Sequence, residues 1–220
     1  MDKYSKDNNY PKNFKATIDR YNLNEKFFHN KKDGVFIELG AIDGIYISNS
    51  KYFEDNFNWN GILIEPNNFE FQKLVKNRPN CKLFNNIISN DKNKIEYVYY
   101  QGHHMAAVSG VKKSLTESHN EKYFKDKKYL SQLLEPKTLT EIIKSTDFKY
   151  FDLLSLDVEG HELEVLQSWD FSIPIKIILI EMTHDNYIKN EKCRNILLKN
   201  NYKLDHIHEN KRDEIYILNE

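Results

Sequence analysis

Val35-Phe36-Ile37-Glu38-Leu39-Gly40-Ala41-Ile42-Asp43-Gly44 is the stretch on which the reading of this chain turns. A short apolar run closed by glycine reads as a buried strand of a parallel sheet. Glycine at the strand's end permits a sharp turn and a close approach of backbone to a ligand. Glu38 and Asp43 then stand where that ligand would lie, and Ser48 or Asn49 is placed to cap a helix running to about Asn56. Strand, glycine turn and helix make the ligand-binding half of a βαβ unit.

A glycine turn after a strand is common and marks no site by itself. The next apolar run, Gly61-Ile62-Leu63-Ile64, adds the discriminating residue by ending in Glu65-Pro66. An acid about 20 positions beyond the turn is where a doubly wound sheet holds ribose hydroxyls. The dinucleotide spacing G-x-G-x-x-G is broken by Ile42, and no Gly-Lys-Ser or Gly-Lys-Thr of a phosphate loop occurs. An adenosyl ligand without a pyrophosphate remains, which points to S-adenosylmethionine.

At 220 residues the chain can fill one core. We expect a helical lead-in over residues 1–30 and one α/β domain over 31–220. A net charge of −1, with 30% charged residues, creates no field favouring nucleic acid or an anionic membrane. Cys81 and Cys193 lie in unrelated segments and indicate neither a disulfide framework nor zinc. The polar start is not that of a signal peptide, and no apolar run approaches a membrane span. The expectation is a cytoplasmic protein with neither nucleic-acid nor membrane partners.

Further along, the pattern predicts a helix over 68–77 with Phe71, Leu74 and Val75 inward, and a third strand over 81–88. In this architecture the loop after the third strand borders an adenine ring, which makes Asn86 and Ser89 candidates there, while asparagine beside a turn equally serves turn chemistry. A strand over 94–100 precedes an irregular segment, 101–119, that holds His103 and His104. A helix over 121–134 follows, then a short one capped by Thr138 or Thr140. The second informative stretch runs from Tyr150 through an apolar strand to Asp157-Val158-Glu159-Gly160-His161-Glu162. Ile175 to Ile180 is again apolar and ends in Glu181, with Thr183, His184 and Asp185 beyond it. Acids thus gather at strand ends, where open α/β sheets bind ligands. A helix over 186–200 and two closing strands complete a seven-stranded sheet with the last strand antiparallel.

The motifs F-I-E-L-G-A-I-D-G, S-N-S-K-Y-F-E with W-N-G-I-L-I-E-P, and L-S-L-D-V-E-G-H-E-L-E-V-L resemble those of FkbM-type S-adenosylmethionine-dependent methyltransferases. The resemblance runs over about 35–181 and more loosely to the C-terminus. It implies the class I methyltransferase fold, a Rossmann-like doubly wound α/β sheet. It also implies Glu38, Gly40 and Asp43 near the methionine part of the cofactor, Glu65 on the ribose, and Asp157 close to the transferred methyl. With the turn and loop residues, the expected cofactor set is Glu38, Gly40, Ala41, Asp43, Gly44, Asn49, Glu65, Pro66, Asn86 and Ser89. The family often methylates hydroxyls of sugars or small metabolites, which implies a glycan or small-molecule acceptor. The segment 101–134 matches no motif and is where acceptor specificity is expected.

A neutral hydroxyl must lose its proton or be activated by a metal. Asp157, Glu159, His161, Glu181 and His184 are the candidate catalytic residues, and Asp157 with Glu181 offers hard oxygen ligands for Mg²⁺. His161 reads equally as a first-turn helix residue. The alternative function is a methyltransferase-like scaffold that has lost turnover, since fold does not fix function.

Overall fold

A computed structural model describes residues 18–101, 103–183, 185–208 and 212–219. After one π turn (Asn24–Phe28), β1 (Val35–Leu39) leads to α1 (Lys51–Phe57), β2 (Asn60–Ile64), α2 (Asn68–Asn77) and β3 (Lys82–Phe84). An inserted group follows: β4 (Ile87–Ile88), β5 (Ile95–Tyr99), α3 (His103–Ala106), β6 (Gly110–Val111), α4 (Glu117–Tyr123), β7 (Leu130–Leu134) and β8 (Pro136–Lys137). The chain then returns through α5 (Leu139–Lys144), β9 (Phe151–Leu156), α6 (Glu162–Gln167), β10 (Ile175–Glu181), α7 (Tyr187–Lys199), β11 (Tyr202–Ile207) and β12 (Asp213–Leu218).

Among the described residues, seven strands form the main sheet in the order β11-β12-β10-β9-β1-β2-β3. β12 runs antiparallel to both β10 and β11, and the remaining pairs are parallel. The apolar runs account for this layer, because strands covered on both faces need apolar side chains at nearly every position. Successive residues point to opposite faces. Ile37, Ile62, Leu154 and Ile178 meet Ile142, Leu166 and Leu197 of α5, α6 and α7 on one side. Phe36, Leu63, Leu153 and Ile177 meet Phe28, Phe53, Trp59 and Leu74 on the other. The expected doubly wound sheet, with its last strand antiparallel, is what the chain forms. Its winding reverses at β1, so a crevice opens at the carboxyl ends of β1 and β9.

The structure corrects several local expectations. The strand expected over 81–88 is split, because Asn85 Nδ2 donates to the carbonyls of Glu65 (2.7 Å) and Pro66 (3.1 Å) and draws the chain off the sheet. Ile87 and Ile88 pair instead with Pro136 and Lys137. The helix expected over 121–134 starts earlier, where Thr116 Oγ1 caps the His119 amide, and ends at Tyr123. Leu130–Leu134 is a strand along β5, whose backbone partners outweigh a weak local helix preference. Irregularity expected over 101–119 gives way in part to α3, β6 and the start of α4. In α2 Val75 faces outward and Glu70 is buried beside Lys73. Ser50, not Ser48 or Asn49, occupies the N-cap position of α1, although Ser48 Oγ accepts the Lys51 amide at 3.1 Å. Thr138, one of the two expected caps, forms a full capping box with Glu141 on α5.

Candidate active site

Strand register places the candidate acids on one level. Leu39 pairs with both Ile64 and Leu156, and Leu156 pairs with Ile180, so one row of residues crosses four strands. One position beyond that row stand Gly40, Glu65, Asp157 and Glu181. Sequence reading found these residues separately, and register assembles them.

Glu38 is turned away from the crevice into the loop after the glycine turn. Its carboxylate accepts from Ser48 Oγ and the Asn49 amide, each at 2.8 Å, and from the amide and hydroxyl of Ser50. Arg78 lies fully buried beneath the same loop. It donates to the Gly44 carbonyl (2.9 Å) and Ser50 Oγ (3.0 Å) and pairs with Glu54. The helix expected from sequence over 68–77 stops short of Arg78 and gives it no role, since one arginine at a helix end carries no pattern that marks it. Asp43 Oδ1 accepts the amides of Ile45 (3.0 Å) and Tyr46 (2.8 Å) and shapes the turn itself. Asn49 donates to Ser155 Oγ at 2.9 Å.

Gly40 has φ +78°, and a Cβ there would lie 2.0 Å from the Asp157 carbonyl oxygen. The glycine is therefore demanded by the close approach of the β9 end. Gly44, at φ +79°, would drive a Cβ into Leu74 and Arg78.

A cavity opens at the crevice, with about 510 Å³ of empty space when its open mouth is included. Gly40, Glu65, Pro66, Asn86, Asp157 and His161 line it, with Ile87, Ile88, Tyr97, Val111 and Val165 as apolar wall. Of the expected cofactor set, Glu38, Ala41, Asp43, Gly44, Asn49 and Ser89 are not among its lining residues and shape the turn, loop and core around it. Glu65 Oε2 accepts the Ile42 amide at 2.9 Å, and Oε1 accepts the Asn67 amide at 2.7 Å. Each oxygen keeps acceptor capacity, enough for two ligand hydroxyls. Burial pushes the Glu65 carboxyl up to about 8.

A second cavity, of about 750 Å³, is polar. Thr116, Ser118, His119, Lys122, Tyr123, Glu159, Glu181, Thr183, Asp185 and Arg212 line it, joining α4 to the loops after β9 and β10. Between the cavities, carboxylate oxygens of Asp157, Glu159 and Glu181 lie within 4.8 Å of one another. Burial, then the charge of Asp213, raises Asp157; burial, then Asp157, raises Glu159. The charge of Asp157 is the main cause raising Glu181, followed by burial. Like charges this close cannot all ionise, so the cluster holds protons or a cation. Arg212 reaches within 4.0 Å of Glu181, and His119 Nδ1 lies 3.5 Å from Glu159.

His161 belongs to the first cavity and not to the second. Its Nδ1 lies 2.7 Å from Ser114 Oγ, while Nε2 is buried without a partner. Burial pushes its imidazole down to about 4, so it is neutral near pH 7. His184 lies outside the described residues, as do the side chains of His103 and His104.

The sheet order, with the crevice at its switch point, is that of the class I methyltransferase fold. The profile of the methyltransferase FkbM domain matches residues 38–204, and the chain belongs to that family. No curated protein sequence matches it. Among solved structures, it is similar to the fibrillarin pre-rRNA processing protein of Methanococcus jannaschii, with 14% identity over 86% of this chain and 68% of that one, at a TM-score of 0.45. It is also similar to a methyltransferase from Pyrococcus furiosus, with 14% identity over 91% and 82% of the two chains and a TM-score of 0.45. TrmK of M. capricolum, in complex with S-adenosylhomocysteine, shows 12% identity over 90% of this chain and 66% of that one, at a TM-score of 0.42. No helix among the described residues is long and apolar enough to cross a membrane.

Proposed function

We propose that this chain transfers the methyl group of S-adenosylmethionine to a hydroxyl of a sugar, a glycan or a small metabolite. One observation carries the reading: the cluster of Asp157, Glu159 and Glu181 forms the wall between two cavities. Asp157 lines the first, while Glu159 and Glu181 line the second. The first suits an adenosyl group, since it offers the Glu65 carboxylate beside an apolar wall. S-adenosylmethionine supplies an electrophilic sulfonium methyl when bound.

The residues of this chain then position and deprotonate. Gly40 and Glu65 hold the donor, and the hydroxyls of Thr116, Ser118 and Thr183 with the ring of Tyr123 suit a polyhydroxylated acceptor. The carboxylate cluster takes the acceptor proton, and Arg212 offsets its charge. Holding both partners in line accounts for much of the rate enhancement. A second reading rests on the same 4.8 Å grouping: three hard oxygen ligands for Mg²⁺, which would lower the pKa of the acceptor hydroxyl. Two buried free thiols, Cys81 and Cys193, suit a reducing, cytoplasmic setting.

The test is a screen of hydroxylated acceptors with methyl-labelled S-adenosylmethionine, scoring S-adenosylhomocysteine release and label in an ether product. Label on nitrogen or carbon would refute O-methylation. Cofactor binding without transfer to any acceptor would assign a binding module instead.

A further inference from the structure

We infer that His161 reads the heterocyclic base of the adenosyl group through its Nε2 atom, and so sets the base specificity of the cofactor site. The inference rests on the proposed cofactor reading and deepens it. Among the described residues, the buried side-chain atoms without a hydrogen-bond partner are His161 Nε2, Glu164 Oε2 and Trp169 Nε1. Glu164 faces the Lys189 ammonium at 2.9 Å, and Trp169 lines neither of the two site cavities. His161 alone of the three lines the cavity at the crevice.

A buried polar atom without a partner is costly, and a site shaped for a ligand is one place where such an atom persists. The side chain is 2% exposed, and its other nitrogen is held 2.7 Å from Ser114 Oγ. The ring is thus fixed with one polar atom left to offer. His161 precedes α6, and Val165 lies one turn on, bonded through its amide to the His161 carbonyl at 3.2 Å. Residues four apart share a helix face, and both line the same cavity.

The cavity is polar where Glu65 stands, and Ile87, Ile88, Val111 and Val165 form an apolar wall suited to a flat ring. A ribose hydrogen-bonded to Glu65 leaves its base to that wall. Adenine presents both donors and acceptors on its edge, so Nε2 finds a partner in either tautomer. His161 is thereby a specificity residue for the donor, and the acceptor proton passes elsewhere, at the carboxylate cluster.

The experiment combines calorimetry with ¹⁵N-histidine NMR, using S-adenosylhomocysteine and S-ribosylhomocysteine, which lacks the base. The wild type should bind S-adenosylhomocysteine, with the His161 Nε2 resonance shifting and Nδ1 nearly unmoved. S-ribosylhomocysteine should leave Nε2 in place. His161→Phe should weaken S-adenosylhomocysteine about tenfold or more, the size of one lost hydrogen bond, and leave S-ribosylhomocysteine affinity unchanged. Equal affinities in a folded variant, or an unmoved Nε2 in the saturated wild type, would overturn the role of His161 while the cofactor site stood. No binding of S-adenosylhomocysteine to the wild type would overturn the cofactor reading, and this inference with it. Should His161→Phe fail to fold, the wild-type resonances alone decide.

Discussion

Asp157 and Glu181 stand level at the carboxyl ends of adjacent parallel strands, each one residue past the paired Leu156 and Ile180, and their carboxylate oxygens lie within 4.8 Å of one another. Two carboxyl groups this close disfavour double ionisation, so the pair titrates as a unit. Glu159 brings a third carboxylate within 4.8 Å. The arrangement concentrates basicity where the two cavities meet, and it makes the charge of the cluster the quantity to perturb.

Asp157→Asn keeps the size of the side chain and removes its charge. Turnover should fall about 10²-fold or more, with S-adenosylhomocysteine affinity held within roughly tenfold. Steady-state kinetics and calorimetry on the same preparation check this. Wild-type turnover would leave Asp157 a structural role only.

Treatment with EDTA should leave turnover unchanged, because protons retained by the crowded carboxyl groups together with Arg212 balance the cluster. Loss of activity that Mg²⁺ restores would assign the cation reading instead. Activity before and after dialysis decides.

Glu65→Ala removes both acceptors offered to the ribose and should cost about 1–3 kcal/mol of S-adenosylhomocysteine binding. In the free protein the Glu65 carboxyl sits at about 8 through burial. Hydroxyl donors favour its charged form, so binding should release a proton and tighten as pH rises toward about 8. Calorimetry in buffers of different ionisation enthalpy counts that proton.

Stability without ligand should also depend on pH. Burial raises Glu65 to about 8 and Glu162 to about 7, from an ordinary value of 4.5. The folded state then holds protons that the unfolded chain releases. Their stabilising contribution is full below about 4.5 and is lost as pH rises through about 7 to 8. Thermal melts from about pH 5 to about pH 9 should show a falling Tm, with a shallower fall in Glu65→Gln.

Gly40→Ala should destabilise the fold by about 2 kcal/mol or more, since it adds a left-handed non-glycine residue and a contact that backbone must yield to. The Cβ would stand 2.0 Å from the Asp157 carbonyl. A denaturant midpoint equal to that of the wild type would show that the β9 end moves freely.

Much of the fold was legible because its signals are local. Apolar runs closed by Gly40, Glu65, Asp157 and Glu181 read directly as buried parallel strands, and their acids as crevice residues. Legibility failed where partners are distant in sequence. Leu130–Leu134 reads as helix in isolation, yet its backbone pairs with Ile95–Tyr99. Asn85 ends β3 early by bonding Glu65 and Pro66, about 20 residues back.

The candidate site divides the same way. By itself the sequence determined the strand-ending acids, the glycine turn and the family to which the chain belongs, because period and spacing encode burial and backbone shape along one segment. Only the tertiary structure decided which way each acid turns and which cavity it lines. It turned Glu38 inward to hold Ser48, Asn49 and Ser50, and set Arg78 beneath them. It drew His161 to the first cavity through Ser114 and gathered Glu159 and Glu181 on the second. Those assignments come from register and long-range hydrogen bonds, in which a residue's role is set by neighbours tens of positions away.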